Sequence, residues 1–497
     1  MPMRTRRAPF INHFVTLNSA AMTHNNDTYI TDTEDNVNKL QSDGDVTVPK
    51  EKFLFREPIV LISIVGLSLL DGLVLHLTPK NLAEYPTEVF TVYSLSVSAV
   101  PMVGLIFATL LSEVAGRRHV YRYLFALSVV LFILVVSSRH PTVMIMVFIL
   151  RGMIRGGSSV MNAVAICEYS SPKHRFAWMI ADVATANTIG PVISSALNTE
   201  IVFYTLLVIQ IVLGLICMRC IWAWPESPYW LANKGNLEQS RTAFMWLRGK
   251  GGRKELDSVL KARRRPGPPK LFWISLFIAL ATVSVTTFSY VQVTQSSMNY
   301  LHSTRTTPES QFYVNLFGTT VISCALATVS YFIRRKLLFI VVSVISFILC
   351  YAEALCYQFD SDIDGVLFYL LHTTSQVIQK SGPLAFGVTL FVEITPHKYN
   401  TIISCICHIV MFLSVSFVYP LFHYFNYKPF HVSVALGLST TLALVAALLY
   451  YFFAPETKDK TLIEIQRSYL PDENDSNLEQ NEGITLNVME TLDELID

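Results

Sequence analysis

Charge is scarce in this chain: Asp, Glu, Lys and Arg make up 15% of 497 residues, and the formal net charge is +1. A balance so near zero offers no electrostatic footprint for nucleic acid or for strongly acidic partners. Paired loop cysteines are missing too. Cys167, Cys217, Cys220, Cys324, Cys350, Cys356, Cys405 and Cys407 all fall within or at the ends of apolar segments, which argues against a disulfide-stapled ectodomain. Cys405 and Cys407, beside His408, stand two apart and so point to opposite sides of a helix, a poor arrangement for a metal ion. There is no nucleotide-binding glycine loop and no nucleophile with a plausible base. Enzyme activity, a metal, a cofactor and ATP-driven pumping are therefore not expected.

Hydrophobic residues, by contrast, make up 52% of the chain. Crossing roughly 30 Å of hydrocarbon takes about 20 apolar residues. Twelve such stretches occur, near 58–76, 90–110, 119–137, 143–165, 177–196, 201–223, 271–296, 312–332, 337–357, 366–391, 401–423 and 429–453. They lack the alternation of a barrel, so the sequence predicts an all-α membrane protein of twelve transmembrane helices in a lipid bilayer. Basic residues gather in the even-numbered loops, at Arg117, Arg118, Arg122, Lys173, Arg175, a run from Lys250 to Arg265, Arg334, Arg335, Lys336 and Lys398. The opposite loops carry few, such as Lys80, Arg139 and Arg305. The positive-inside rule puts both termini in the cytosol. Residues 1–54 and 454–497 are polar or acidic and read as disordered tails, flanking bundles 55–223 and 271–453 and a basic loop 224–270. The Arg-containing start, diluted by Glu34 and Asp35, is a poor organelle signal. The sequons at Asn26 and Asn474 fall on the cytosolic side.

One motif appears twice. Arg117-Arg118, Glu168 and Pro225-Glu226-Ser227 mark the first group of six segments; Arg334-Arg335, Glu393 and Pro455-Glu456-Thr457 mark the second. Such an internal repeat is the build of an alternating-access transporter.

The same residues carry a resemblance. Pro225-Glu226-Ser227-Pro228-Tyr229-Trp230-Leu231 and Pro455-Glu456-Thr457-Lys458-Asp459-Lys460-Thr461-Leu462 resemble signatures of the sugar porter family of the major facilitator superfamily, with Asp459 where glycine is usual. Gly116-Arg117-Arg118 is similar to the family's loop after segment two, with Glu113 for Asp and Val114 for Arg. Gly152, Gly156, Glu168, Arg175, Gly382-Pro383, Glu393 and Pro396 fit its segments four and ten, and Met245-Trp246-Leu247-Arg248-Gly249 is most like insect facilitated trehalose transporters. The resemblance spans nearly residues 55–465.

It implies two six-helix bundles rocking about a midplane site, carrying a sugar or sugar-like solute by facilitation or with protons, in the plasma membrane. A carrier of another polar or charged solute, or a non-transporting receptor, are the alternatives. Glu113, Arg117, Arg118, Glu168, Arg175, Glu226, Arg334, Arg335, Glu393 and Glu456 would form the cytosolic gate. Asn400 replaces the arginine expected seven after Glu393, which predicts a weaker second latch and a more inward-open resting population. Aligned to the family's solute positions stand Thr286, Thr287, Phe288, Gln292 and Gln295 in segment seven, Asp182 in segment five, and Phe386 and Val388 in segment ten. Thr, Val and Asp substitute poorly for amides and an indole as a sugar-binding kit. Within the apolar segments, Asp71, Arg151 and Arg155 lie at similar depth, and an Asp near an Arg resembles the proton-coupled symporters. Asp182 is a second candidate partner for Arg155, while His372 and His408 read as packed or cavity-facing residues rather than proton carriers.

Overall fold

Helix ends in this chain are written into short polar signals. Ser227 accepts a hydrogen bond from Trp230 N and precedes Pro228 at the first helical position, while Gly235, at φ 91°, ends the same helix in the left-handed region. Thr461 and Glu464 cap each other's main-chain N–H groups at 2.7 and 3.2 Å, a capping box.

The computed structural model describes residues 56–74, 87–137, 140–190, 200–249, 308–359, 365–395, 399–424 and 429–468, with 193 and parts of 272–281. Its helices are α1 (Arg56–Val74), α2 (Thr87–Ala115), α3 (Arg117–Ser137), α4 (Pro141–Tyr169), α5 (Arg175–Ala184), α6 (Glu200–Trp222), α7 (Pro228–Lys234) and α8 (Leu237–Arg248). They continue as α9 (Pro308–Val329), α10 (Arg335–Phe359), α11 (Gly365–Gln379), α12 (Ala385–Ile394), α13 (Asn400–Tyr424), α14 (Pro429–Phe453) and α15 (Leu462–Arg467). Eleven of the twelve expected segments thus appear as helices; the seventh lies mostly outside the described residues, as do 1–54 and 469–497, whereas 454–468, expected to be part of a disordered tail, carries the packed helix α15. Among the described residues, four helices are long and apolar enough to cross a membrane by composition alone: Arg117–Val135, Pro141–Tyr169, Arg335–Cys356 and Leu370–Ile394.

Segments five and ten are not regular helices throughout. Each contains a π turn, Thr185–Ile189 after α5 and Lys380–Leu384 between α11 and α12. The second holds Gly382-Pro383, where the missing proline N–H breaks the regular ladder. Turns of this kind concentrate at functional sites.

α2 and α4 pack most intimately. A Cβ on Gly156 would stand 1.8 Å from the Pro101 carbonyl oxygen, and one on Gly104 would stand 2.2 Å from that of Met153. The Gly152/Gly156 spacing therefore serves backbone contact, the small-residue packing of membrane helices. A continuous core runs through both halves, from Val60, Leu67, Phe125 and Met161 to Phe339, Phe386 and Tyr450. Large apolar side chains also face outward, including Phe317, Phe332, Phe452 and Leu110. Such a surface suits lipid rather than water.

Candidate functional site

The motif of the first half closes on itself. Gly116, at φ 93°, turns the chain between α2 and α3, and the Glu226 carboxylate fits where its Cβ would be. Glu226 Oε1 accepts the main-chain N–H groups of Arg117 at 2.7 Å and Arg118 at 3.1 Å, so a distant carboxylate caps the N-terminus of α3. The buried Arg117 guanidinium spans Glu168, with Nε to Oε2 at 3.2 Å and Nη2 to Oε1 at 3.3 Å, and Nη1 reaches Glu113 at 3.4 Å. Ser227 Oγ donates to Glu168 Oε2 at 2.6 Å, and Arg118 Nη1 donates to the Trp224 carbonyl at 2.7 Å.

The second half repeats this with one correction. Glu456 caps α10 through the N–H groups of Arg335 at 3.1 Å and Lys336 at 3.4 Å, and Arg335 bonds Glu393 and Thr457. Arg335 is thus the counterpart of Arg117, and Lys336 that of Arg118. Arg334, expected in the gate, precedes the helix and is exposed.

Several contacts tie the halves together at this end, His174 Nδ1 meeting the Tyr331 hydroxyl at 3.1 Å among them. Arg175 Nη1 donates to Glu393 Oε1 at 3.1 Å, with both side chains buried. Arg335 Nη2 donates to the Pro172 carbonyl at 2.9 Å, and Arg117 Nη2 donates to Thr401 Oγ1 at 2.6 Å. Phe386 packs on Phe176 at a centroid distance of 4.0 Å beneath them. The end bearing the basic loops is closed. It is closed asymmetrically: Thr401 takes the crossing contact, while its neighbour Asn400 is buried with both side-chain polar atoms lacking a hydrogen-bond partner among the described residues. Around this, Tyr229, Ala232 and Phe244 of α7 and α8 share a core with Leu462 and Ile463 of α15.

Deeper in the bundle lie the intramembrane charges. Asp71 is buried within electrostatic range of Arg155 and Arg151, without a direct ion pair to either among the described residues. Asp182 does not pair with Arg155. Its Oδ1 instead accepts from Ser68 and from Asn162 at 2.9 Å, while the Tyr121 hydroxyl donates to Asn162 Oδ1 at 2.9 Å. Arg155 Nη2 turns to Asn187 Oδ1 at 3.4 Å, and Lys380 Nζ donates to the main-chain oxygen of the same Asn187 at 2.8 Å. In the second half, Glu353 Oε1 meets His372 Nδ1 at 2.7 Å, and His372 Nε2 meets the Gln376 side chain at 2.6 Å.

The sequence matches the family model described as Sugar (and other) transporter over residues 9–469. The chain belongs to the Sugar (and other) transporter family. Its fold resembles the proton:xylose symporter XylE bound to 6-bromo-6-deoxy-D-glucose, at 16% identity and a TM-score of 0.62, covering 83% of this chain and 99% of that one. A double Trp mutant of XylE gives 18% and 0.65, covering 83% and 98%. The inward-open conformation of the xylose transporter XylE from E. coli gives 17% and 0.51, covering 83% and 99%. No curated protein matches the chain. The architecture is the two-bundle major facilitator fold of a multi-pass integral membrane protein.

Set on that family fold, the expected solute residues are divided. Thr286, Thr287, Phe288, Gln292 and Gln295 lie outside the described residues. Val388 and Phe386 are buried in the core, packed rather than open to a solute in this closed-end state. Asp182 is held inside helix packing. His408 is packed as expected, its Nδ1 on the Ser404 carbonyl at 2.8 Å and its ring edge-on to Phe391. His372 is not a lone histidine, because Glu353 faces it. Lys380, Asn187, Asn162 and Glu353 were not singled out from sequence, although a charge inside an apolar run is itself the signal that finds Lys380 and Glu353.

Proposed function

We propose that this member of the Sugar (and other) transporter family carries a sugar or sugar-like small solute across the plasma membrane by alternating access, with both termini in the cytosol. The observation that carries this reading is the buried Arg175–Glu393 link between halves, reinforced by Arg335–Pro172 and Arg117–Thr401. Each half is braced internally by its own copy of the motif, so the links between halves are the contacts that can part while each bundle stays intact. Networks of this size suit a conformational equilibrium of a few kcal/mol. Bundles 55–223 and 271–453 are the moving bodies of this reading.

Proton coupling is part of it. Asp71 stands between solvent-poor helices and two arginines, so binding a proton there alters the balance of charge on which Arg155 and Arg151 depend. The XylE neighbour is named a proton:xylose symporter, which supports pentoses and hexoses as first solutes; the Met245–Gly249 phrase supports trehalose. Saturable uptake of radiolabelled glucose, xylose or trehalose by cells expressing the chain, measured at external pH 5.5 and 7.5, tests both claims. Uptake whose pH dependence disappears in Asp71→Asn supports the coupled reading. Uptake with pH dependence unchanged in Asp71→Asn removes the proton role and leaves facilitation, and absence of uptake with the protein at the surface removes transport of these sugars.

A further inference from the structure

The seam between segments eight and ten carries polar side chains that the gate does not use. Ser343, Ser346, Cys350 and Glu353 recur on α10 at intervals of three and four, so they share one face of the helix. His372, Ser375, Gln376 and Gln379 do the same on α11, and the two faces meet. Glu353 Oε1 lies 2.7 Å from His372 Nδ1, Cys350 Sγ lies 3.2 Å from Ser375 Oγ, and the Gln379 amide donates to Cys350. Near the middle of the segment the seam reaches a cavity lined by Ser343, Ser346, Gln379, Pro383 and Thr440. Ser343 Oγ and Gln379 Oε1 are buried without a hydrogen-bond partner among the described residues, and the polar side chains of this cavity are the partners that ordered water takes. Glu353 stands eighteen residues after Arg335, roughly 27 Å along the helix, so it lies toward the end opposite the basic loops.

The pair at the outer end of this seam is built to take up a proton. A carboxylate oxygen and a ring nitrogen 2.7 Å apart share one hydrogen. On the far side of the ring the Gln376 amide nitrogen stands 2.6 Å from Nε2; an amide nitrogen only donates, so Nε2 accepts and the ring is neutral, its hydrogen on Nδ1. Glu353 is fully buried, and among the described residues its Oε2 has no hydrogen-bond partner and its ion-pair partner is His372. The pair by itself thus carries one negative charge in the apolar layer, a costly state. We propose that Glu353 and His372 form a proton-binding site in the second half, separate from Asp71 in the first, which fills and empties as the carrier turns over. Its place in the cycle rests on the transport reading above. The proton adds to the Nε2 lone pair, the Gln376 amide turns its oxygen toward the new N–H, and imidazolium and carboxylate become a neutral ion pair. The pair joins α10 to the part of segment ten that precedes the Lys380–Leu384 π turn, while Glu393 of the gate follows that turn, so loading changes how firmly the two parts of segment ten are held. Around the pair, α10 also brings the thiols of Cys350 and Cys356 within electrostatic reach. Lys380 lies eight residues further along segment ten, its Nζ on Asn187. α14, packed on α10, carries the described titratable side chains Tyr450 and Tyr451 at the basic-loop end, and α9, packed on α11, carries Cys324. His431 of α14 stands two residues before Ser433, which donates to the Ala354 carbonyl at 2.6 Å; the His431 side chain lies outside the described residues.

The test is proton uptake by the purified full chain, followed by potentiometric titration from about pH 8 to about pH 5, the range in which histidine ordinarily changes charge. Wild type should bind about one proton more than Glu353→Gln and about one more than His372→Gln, because the site needs both members. The same difference should remain when either substitution is added to Asp71→Asn. Thermal melts check folding, and either variant alone decides the count, so one that fails to fold leaves the other as the test. In proteoliposomes, the ratio of radiolabelled xylose or glucose uptake at external pH 5.5 to that at 7.5 should fall in both variants. Equal proton counts in wild type and the folded variants would overturn the site, whatever uptake shows. A missing proton that follows His431→Gln, and neither member of the pair, would overturn it as well. A one-proton difference with an unchanged uptake ratio would overturn its part in turnover. Failure of both sugars to enter, with the one-proton difference intact, would remove the transport reading and leave the proton-binding pair standing.

Discussion

Arg175→Ala should open the basic-loop end. In the closed state Arg175 Nη1 gives one charge-assisted hydrogen bond to Glu393 across the two halves at 3.1 Å. Such bonds contribute roughly 1.5–3 kcal/mol. Glu393 keeps Arg335 in the variant, so the carboxylate is not stranded and the larger penalty of about 3–5 kcal/mol for breaking a buried pair does not apply. The Nε and Nη2 groups of Arg175 have no hydrogen-bond partner among the described residues, and deleting them removes a cost of the closed state, which sets the effect at the lower end of the range. At 1.4 kcal/mol per factor of ten, the open population rises about tenfold. A native reporter lies on the same interface between halves: Cys405 of α13 is buried against Thr109 of α2. Its alkylation by N-ethylmaleimide, followed by peptide mass spectrometry, should accelerate about tenfold in Arg175→Ala. Arg118→Ala should not accelerate it, because among the described residues that guanidinium bonds Trp224 of its own half. An unchanged Cys405 rate in folded Arg175→Ala would refute the reasoning, because the link would then carry no difference between states. In the wild type, a Cys405 alkylated as fast as a water-exposed cysteine would instead bear out the weaker latch expected from Asn400.

Other outcomes follow from the same contacts. Gly156→Ala drives a methyl into the Pro101 carbonyl and should cost about 1–3 kcal/mol, read as a lower Tm in detergent. Glu226→Ala and Glu456→Ala should each destabilise by roughly 1–2 kcal/mol through loss of the cap on α3 or α10, whereas Arg334→Ala should leave Tm unchanged. Glu353 and His372 should show a coupling of about 0.5–3 kcal/mol in a double-mutant cycle of thermal stability with Glu353→Gln and His372→Gln; strict additivity would dissolve the pair.

The contacts of the repeated motif were legible because their chemistry is local. A glycine turn, an arginine at a helix start and a Pro-Glu-Ser or Pro-Glu-Thr phrase sit at segment ends, and their repetition identified partners more than a hundred residues apart, such as Arg117 and Glu226. The register was not fully legible: choosing Arg335 over Arg334 requires knowing where α10 begins, since Glu456 caps main-chain N–H groups and not side chains. Asp182 misled for a related reason. Sequence places it nearer the cytosol than Arg155 yet within possible reach, but its partners are Ser68 and Asn162, small polar residues on other helices that carry no motif. Glu353 and His372 lie on different helices, nineteen residues apart, and only helix packing brings them together. Lys380 gained its meaning from Asn187 across the interface between halves.

Counterflow addresses the central claim most directly. Proteoliposomes holding the purified chain are loaded with unlabelled solute, glucose in one set and xylose in another, and diluted into a trace of the labelled solute. A carrier that alternates access through closure at Arg175 and Glu393 predicts a transient overshoot of label above equilibrium, weakened in Arg175→Ala. Label that enters monotonically to equilibrium, or not at all, for both solutes would contradict alternating access by this protein.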